Sequence, residues 1–354
     1  MTNYETRVYK IDNNLIEKDY IELLKEEPAV EEAAELLKKG ELVAFPTETV
    51  YGLGADALNP EAVKKIFLAK GRPQDNPLIV HIAELKQMEE LMEGDLSING
   101  RKLIDAFWPG PLTLIVKKRD IIPDITTAGL DSVAVRMPAH PLARAIIERA
   151  GLPVAAPCAN VSGRPTPTKA AHLYNDLCGK IPLIIDGGAA DVGVESTVLD
   201  IRGEMVRVLR PGGVSREEIR NVIGEFLSES HYSKSESERP LSPGMKYRHY
   251  SPETPLFIIE NEDRLKLLME NASGKDIAFV LSDETYEKYS SCLDDIQVIK
   301  MGPRSNPEFI ARNLFDLLRR IDSLSFRSVY IEAIPAVGIG EAVMNRLHKA
   351  AYRE

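Results

Sequence analysis

The sequence predicts an α/β protein with two domains, an N-terminal α+β domain on one twisted mixed sheet and a smaller C-terminal three-layer α/β domain. Three observations support this prediction. The chain has 354 residues, which is enough for two hydrophobic cores. Many short strand patterns of mixed spacing fill the first two-thirds of the chain, whereas strand and helix patterns alternate regularly in the last hundred residues. Between them, eight of the eleven residues in 228–238 are Ser or Glu, a composition typical of a solvated linker.

The predicted domain boundaries follow from these changes in pattern. We expect the first domain over 1–227, a linker over 228–254 and the second domain over 255–354. Because the linker runs into a cluster of cations and aromatic residues at 243–252, we expect it to do more than connect two domains.

Composition and charge exclude several classes of protein. The formal net charge of −10 argues against a wholly basic nucleic-acid binder, although it allows a local basic site. Three widely spaced cysteines, Cys158, Cys178 and Cys292, indicate neither a disulfide framework nor a zinc site. The polar N-terminus lacks a signal-peptide core, and no apolar run has membrane-spanning length. We therefore expect a cytoplasmic protein without a membrane partner.

Helix and strand signals place the elements of the first domain in order. An amphipathic pattern predicts a helix over 30–39 that ends at Gly40, followed by a buried strand over 41–46. Two glycines at 52 and 54 loosely match a dinucleotide-binding fingerprint. However, the next helix, 61–69, begins only after Asn59-Pro60, too late for that motif. Further strands are predicted at 78–82, 112–116, 132–138, 154–156, 181–186, 195–200 and 205–212, and further helices at 85–92, 101–107 and 141–150.

A regular βαβα pattern organises the second domain. Such alternation is typical of a parallel, Rossmann-like sheet covered by helices on both faces. The segment 338–342 (Gly-Ile-Gly-Glu-Ala) is either a ligand loop or, as we favour, a tight strand-to-helix connection. The predicted strands are 256–260, 277–282, 296–301 and 327–333, and the predicted helices lie near 262–272, 284–291, 306–323 and 341–352.

The stretch Lys70-Gly-Arg-Pro-Gln-Asp-Asn-Pro77 is the first candidate site. Lys70 and Arg72 flank a glycine, and two prolines stiffen the chain around the amide of Asn76. Arg can bind a phosphate with two hydrogen bonds and Lys can supply a point charge, so the pattern suits a polyanion. The alternative is a pair of solvated charges at a helix end.

Two further residues stand among aliphatic neighbours. His81 is either a structural residue or a hydrogen-bonding partner for a small polar ligand. A metal site is not indicated, because the sequence has no second His or Cys at the spacing of a metal ligand. Arg136 ends an aliphatic strand and needs a buried anion. That anion is either an acidic side chain of the protein or the carboxylate of a ligand.

The remaining candidates lie in turns. Cys158-Ala-Asn-Val-Ser-Gly163 consists of small turn-forming residues, and a nucleophilic Cys158 would require a base, for which His81 is the nearest candidate. Arg210 precedes Pro-Gly-Gly and repeats the combination of a cation with a rigid turn. The sequence contains no G-x-x-x-x-G-K-[ST] loop, no H-E-x-x-H and no C-x-x-C.

Taken together, these motifs resemble the YrdC family, the threonylcarbamoyl-adenylate synthases, and the segment 243–250 with the following α/β domain resembles the family's longer, two-domain form. The resemblance covers nearly the whole chain, and its specificity lies in the order of several motifs. These motifs are Thr47-Glu-Thr-Val-Tyr-Gly-Leu-Gly54, Lys70-Gly-Arg-Pro73, Asn76-Pro-Leu78, Trp108-Pro-Gly-Pro-Leu-Thr113, Arg136-Met-Pro138, Ala156 to Gly163, Glu195-Ser-Thr197 and Arg210-Pro-Gly212.

The resemblance implies an activity and its partners. The enzyme would be a nucleotidyltransferase that converts L-threonine, bicarbonate or CO2, and ATP with Mg2+ into threonylcarbamoyl-adenylate and pyrophosphate. The product would pass to a tRNA threonylcarbamoyl-transferase complex for the N6-threonylcarbamoyladenosine modification, and tight tRNA binding by this chain is not expected. The fold would be a mixed sheet with a concave basic cleft.

The resemblance also implies roles for individual residues. Lys70 and Arg72 would be catalytic, no side chain would ligate a metal, and Tyr247 on the linker would close over the nucleotide. One position departs from the family pattern Ser-x-Asn, because Cys158 stands where serine is usual. The implied threonine site comprises Thr49, His81, Arg136, Ala156 and Ser196, and the implied ATP site comprises Lys70, Arg72, Asn76, Ser132, Cys158, Asn160, Thr166, Arg210 and Tyr247.

Overall fold

The described residues of the protein divide into two compact units. The computed structural model describes residues 4–18, 20–228, 240–241, 250–272, 276–293, 296–324 and 326–352. The described residues within 1–162, 166–191 and 195–247 form the first unit. Those within 163–165, 192–194 and 248–354 form the second. Much of the predicted linker, including Tyr247, lies outside the described residues.

The first unit is built on one mixed sheet, as predicted. Among its described residues the strand order is β1-β8-β2-β3-β7-β4-β6-β5-β9-β10-β11. Strands β4 and β6 are parallel, whereas β5 and β6 are antiparallel. The strands are β1 (Arg7–Lys10), β2 (Val43–Phe45), β3 (Gly52–Asp56), β4 (Ile79–His81), β5 (Leu112–Lys117), β6 (Ser132–Arg136), β7 (Val154–Ala155), β8 (Leu183–Asp186), β9 (Thr197–Asp200), β10 (Arg207–Arg210) and β11 (Leu227–Ser228).

Five described helices of the first unit lie close to the predicted bounds, whereas those at 13–17, 21–25, 124–127, 170–177 and 216–223 were not predicted. Helix α4 begins after Asn59, whose side chain accepts hydrogen bonds from the amides of Glu61 and Ala62. It ends at Gly71 in the left-handed conformation (φ 60°). The helices are α1 (Asn13–Glu17), α2 (Ile21–Lys25), α3 (Pro28–Lys38), α4 (Pro60–Lys70), α5 (Leu85–Leu91), α6 (Ile98–Phe107), α7 (Asp124–Thr127), α8 (Pro141–Ala150), α9 (Ala170–Leu177) and α10 (Arg216–Ile223).

The second unit contains the predicted parallel sheet, in the order β12-β15-β13-β14. Gly340 allows the tight connection before its last helix, because a Cβ there would lie 2.2 Å from the carbonyl oxygen of Pro335. Close packing therefore explains this glycine, as expected for the tight strand-to-helix connection predicted at 338–342. The elements are β12 (Leu256–Ile259), α11 (Glu262–Glu270), β13 (Ile277–Leu281), α12 (Asp283–Tyr289), a 3-10 turn (Ser290–Cys292), β14 (Gln297–Lys300), α13 (Pro307–Ser323), β15 (Ser328–Glu332) and α14 (Ile339–Ala350).

In the part of the chain that the structure describes, no helix is both long and apolar enough to span a membrane.

Candidate functional site

One face of the first unit's sheet carries several of the predicted site residues. Side chains alternate along a strand, so Ser132, Ala134 and Arg136 of β6 share one face, while Val133 and Val135 belong to the main core on the other. The site face has a small apolar centre, which we call the floor cluster. It consists of Ile79, Ile115, Ala134, Val198 and Leu209, with Leu241 packed against it.

Arg136 is buried on this face and is held from three directions. Its Nε donates to the carbonyl oxygen of Gly110 at 3.1 Å, and its Nη1 donates to Oγ1 of Thr49 at 2.9 Å. Its Nη2 lies 2.7 Å from Oε1 of Glu48. Both alternatives for the anion beside Arg136 therefore stay open, since an internal carboxylate is present and part of the guanidinium still lacks a hydrogen bond.

The loop that supplies Glu48 and Thr49 is fixed by the hydroxyl of Thr47. This hydroxyl donates to the carbonyl oxygen of Val50 at 2.6 Å and accepts the amides of Thr49 and Val50 at 3.3 and 3.2 Å. Thr47 Oγ1 also lies 2.8 Å from Thr49 Oγ1. The loop therefore presents both side chains to Arg136 without rearrangement.

His81 lies beside Arg136, because the two residues are register partners in the parallel pair β4 and β6. Burial, and then the positive charge of Arg136, lower the pKa of His81 to about 3. The imidazole is therefore neutral at physiological pH. Its Nδ1 is buried and has no hydrogen-bond partner among the described residues, which leaves it available to a ligand.

Ser196 and Arg210 meet at the other side of the floor cluster. The Ser196 hydroxyl lies 2.8 Å from Oγ1 of Thr113, and Nη2 of Arg210 donates to the carbonyl and hydroxyl oxygens of Ser196 at 2.9 and 3.2 Å. Ala156 directly follows β7, and its Cβ would lie 3.2 Å from a Cβ built on Gly52 of β3. The residues predicted to bind threonine are thus held in place by neighbouring strands.

Lys70 turns inward at the end of α4. Its Nζ donates to the carbonyl oxygens of Cys158 and Asn160, at 2.5 Å each. Burial, and then the charge of Arg72, lower the pKa of Lys70 to about 7. In this structure Lys70 therefore orders the Cys158–Asn160 turn, and a nearby phosphate would favour its charged form.

Arg72 shapes the loop that follows. Its Nη2 donates to the carbonyl oxygens of Asn76 and Pro77 at 3.3 and 3.1 Å. The side-chain amide of Asn76 is almost fully buried, and neither its nitrogen nor its oxygen has a hydrogen-bond partner among the described residues. The hydroxyl of Ser132 is likewise buried and without a partner among them. Buried polar groups rarely stay unpaired, so these groups indicate a ligand.

Cys158 lies within the electrostatic reach of Lys70, Arg72 and Arg210. Burial, and then the carboxylate of Glu195, raise its pKa to about 11, so the sulfur is a thiol at neutral pH and a poor nucleophile. Thr166 donates to Oε1 of Glu195 at 2.9 Å and joins the same cluster.

Sequence reasoning missed two acidic residues, Glu48 and Glu195. Both lie inside motifs that were recognised, and both are buried. The available signal was an acidic residue next to small polar neighbours at the end of an apolar run, which is an unusual place for a solvated charge.

The arrangement brings several cations to a partly apolar surface with unpaired polar groups. It can bind a polyanion and neutralise developing charge. Because Cys158 is a protonated thiol at neutral pH, it is poorly suited to covalent catalysis. Within the described ranges no three His, Cys, Asp or Glu side chains converge as metal ligands.

Two family models match the chain in succession. The model described as "Telomere recombination" matches residues 35–212. The model described as "Threonylcarbamoyl-AMP synthase, C-terminal domain" matches residues 214–352.

Relatives and solved structures cover nearly the full length. The chain is 47% identical to a threonylcarbamoyl-AMP synthase of Bacillus subtilis, over 93% of this chain and 95% of that protein. It is 46% identical to the one of Pyrococcus abyssi, over 92% of this chain and 95% of that protein. A crystal structure of P. abyssi Sua5 complexed with L-threonine matches with a TM-score of 0.84 and 42% identity, covering 98% of this chain and 97% of that chain.

Proposed function

Because this chain belongs to the family of threonylcarbamoyl-AMP synthases, we propose that it joins L-threonine, CO2 or bicarbonate, and ATP into threonylcarbamoyl-adenylate and pyrophosphate. This is the first step of the N6-threonylcarbamoyladenosine modification of tRNA. In chemical class the enzyme would be a nucleotidyltransferase, because an adenylyl group moves from pyrophosphate to a carbamate oxygen.

The observation that carries this proposal is the pair of buried subsites in the first unit. Arg136, with Thr49 and His81 beside it, suits the carboxylate of a small amino acid. Asn76, whose backbone oxygen accepts from Arg72, and Ser132 carry unpaired buried polar groups. Together with the neighbouring cations Lys70 and Arg72, they suit a nucleotide triphosphate. Cys158, Asn160, Thr166 and Arg210 would complete the ATP site, and Ala156 and Ser196 the threonine site.

The chemistry requires positioning and charge stabilisation. The threonine amine takes up CO2 as a carbamate, and a carbamate oxygen attacks the α-phosphorus of ATP while pyrophosphate leaves. Positioning of reactants can remove roughly 7–11 kcal/mol from such a barrier. Lys70, Arg72 and Arg210 would stabilise the charge that moves onto the leaving phosphates.

Mg2+ would enter as part of the nucleotide substrate. Triphosphate oxygens and water are the ligands that Mg2+ prefers, and it commonly binds proteins through its nucleotide. The bound ion would neutralise charge on the phosphates.

The linker 228–254 would serve as a lid. Leu241, one of the few residues of this segment that the structure describes, packs against the floor cluster, and this contact supports the proposal. Tyr247 lies outside the described residues, and its proposed place over a bound nucleotide follows from the resemblance to the family. Tyr247→Ala should then raise the KM for ATP several-fold while the KM for threonine changes little. An unchanged KM for ATP would exclude this role.

The product is a reactive mixed anhydride and requires a protein that consumes it. We propose that it passes, in the cytoplasm, to a tRNA threonylcarbamoyl-transferase complex, without tight binding of tRNA by this chain.

Pyrophosphate release from MgATP, with and without L-threonine and bicarbonate, tests the function. Release that requires both co-substrates supports it. A requirement for carbamoyl phosphate instead would indicate a carbamoyl-transfer enzyme on the same fold. Salt-dependent tRNA binding without any pyrophosphate release would indicate an RNA-binding module.

A further inference from the structure

Glu48 is a buried carboxylate whose hydrogen-bonding capacity is unused. The residue is 8% exposed. Neither of its oxygens forms a hydrogen bond with any residue that the structure describes. Although Oε1 lies 2.7 Å from Nη2 of Arg136, the N–H groups are not directed along that contact. The two side chains are therefore as close as an ion pair, while lone pairs of the Glu48 carboxylate remain available to accept hydrogen bonds.

An α-amino acid carries its carboxylate and its ammonium group on one carbon atom. A site that binds both needs a cation and an anion close together. Arg136 and Glu48 meet this requirement, and the hydroxyl of Thr47 holds the loop that fixes Glu48. We infer that Glu48 binds the α-ammonium group of threonine and accepts the proton that the amine must lose before it attacks CO2. This inference rests on the proposed function.

Formation of the carbamate involves the loss of two protons from the threonine nitrogen and the formation of one N–C bond. A proton moves from the ammonium group to a Glu48 oxygen, and the nitrogen lone pair then forms the N–C bond with CO2 as one C=O electron pair moves to oxygen. The second proton leaves the nitrogen to water or bicarbonate, and Glu48 returns its proton to solvent. The product is the carbamate that attacks ATP.

Other charged and titratable groups around Glu48 are less suited to this task. Arg136 is always charged. His140, which Glu48 influences electrostatically, uses its Nδ1 to accept the amide of Leu142 at 3.2 Å. His81 lies next to Arg136, whose charge, together with burial, makes it a very weak base. Within the described residues, Glu48 therefore remains the acceptor beside Arg136.

The variants Glu48→Gln and Glu48→Asp test this role. Glu48→Gln keeps the shape of the side chain and removes its basicity, so kcat/KM for threonine should fall about 100-fold at pH 7. Its rate should then rise about tenfold per pH unit as the free amine becomes more abundant. Glu48→Asp should retain more activity than Glu48→Gln. Glu41→Gln is the matched control, because it also removes a carboxylate from an ion pair, with Lys65 at 2.7 Å, and should leave the rate unchanged.

A binding measurement on the unaltered protein does not depend on the folding of a variant. Calorimetry should show that L-threonine binds at least tenfold more tightly than 3-hydroxybutyrate, which lacks the amine. Equal affinity for the two compounds, or a Glu48→Gln variant with the rate and pH profile of Glu41→Gln, would overturn the inference. Absence of threonine-dependent pyrophosphate release from the unaltered protein would instead overturn the proposed function, and the calorimetric comparison would still test Glu48.

Discussion

The thiol of Cys158 lies 3.6 Å from Oε1 of Glu195, although 37 residues separate them in the chain. The contact forms where the loop after β7 meets the residues just before β9. A thiol is a weak hydrogen-bond donor, and burial with the Glu195 charge keeps its proton in place by raising its pKa. The family's usual serine would donate to the same carboxylate more strongly.

We therefore expect Cys158→Ser to keep or raise the rate of pyrophosphate release. A hydroxyl has a similar shape and is a better donor to Glu195 or to a phosphate oxygen. Cys178→Ser, which changes an exposed cysteine, is the control. A large loss of turnover in Cys158→Ser alone would show that the sulfur has a function of its own.

Arg72→Ala should reduce turnover by about 10²–10³, by analogy with the loss of one preorganised donor to a developing charge. The substitution removes a cation next to Lys70 and two hydrogen bonds to the loop carbonyls of Asn76 and Pro77. The KM for ATP should rise and the affinity for threonine should stay unchanged. Arg149→Ala, which removes a surface ion pair with Glu31, should have no effect. Turnover of Arg72→Ala within about threefold of the unaltered protein would remove Arg72 from the site.

Local signals predicted several elements whose ends are set by short-range chemistry, although helix α10 was missed despite the capping box formed by Ser215 and Glu218. Helix α8 begins and ends where predicted, with proline in its first turn and Gly151 left-handed at its end. Strand β3 was missed because its glycines have low strand propensity. The structure explains Gly54, since a Cβ there would lie 2.6 Å from Phe45 and 2.9 Å from Val154. Such close approach depends on tertiary packing, which a local pattern does not contain.

The sequence pointed to candidate site residues where a side chain is unusual for its surroundings. Arg136 in an aliphatic strand and Asn76 between prolines were identified for that reason. Glu48 and Glu195 were not, because their significance depends on partners 88 and 37 residues away in sequence, Arg136 and Cys158. Only strand pairing and loop closure bring these partners together.

ATP binding at pH 8 should be accompanied by uptake of up to about one proton, because Lys70 changes its charge. With a pKa lowered to about 7 by burial and Arg72, the free amine is mostly neutral at pH 8. A bound triphosphate favours the ammonium form and raises that pKa. At pH 6 Lys70 is already protonated, so its contribution disappears.

Calorimetry in two buffers of different ionisation enthalpy measures this uptake. Lys70→Arg is the control, since arginine stays charged at both pH values. Equal uptake in Lys70→Arg at pH 8, or none in the unaltered protein, would contradict the assignment to Lys70.

Gly212→Ala should impair the proposed threonine site by displacing the backbone. A Cβ at position 212 would lie 2.3 Å from the carbonyl oxygen of Glu195 and equally close to the backbone of Ser196. These are backbone atoms, so the start of β9 must shift, and overpacking of this kind typically costs about 1–3 kcal/mol. Because Ser196 moves with that segment, we expect a higher KM for threonine together with a lower melting temperature.

Gly203→Ala is the matched control for this change. A Cβ at position 203 would meet its nearest atom, the carbonyl oxygen of Met205, at 3.8 Å, which is ordinary van der Waals contact. Thermal unfolding and threonine-dependent pyrophosphate release should therefore be unchanged in Gly203→Ala. If Gly212→Ala behaves in the same way, the position of Ser196 does not depend on close packing of Arg210-Pro-Gly212 against β9.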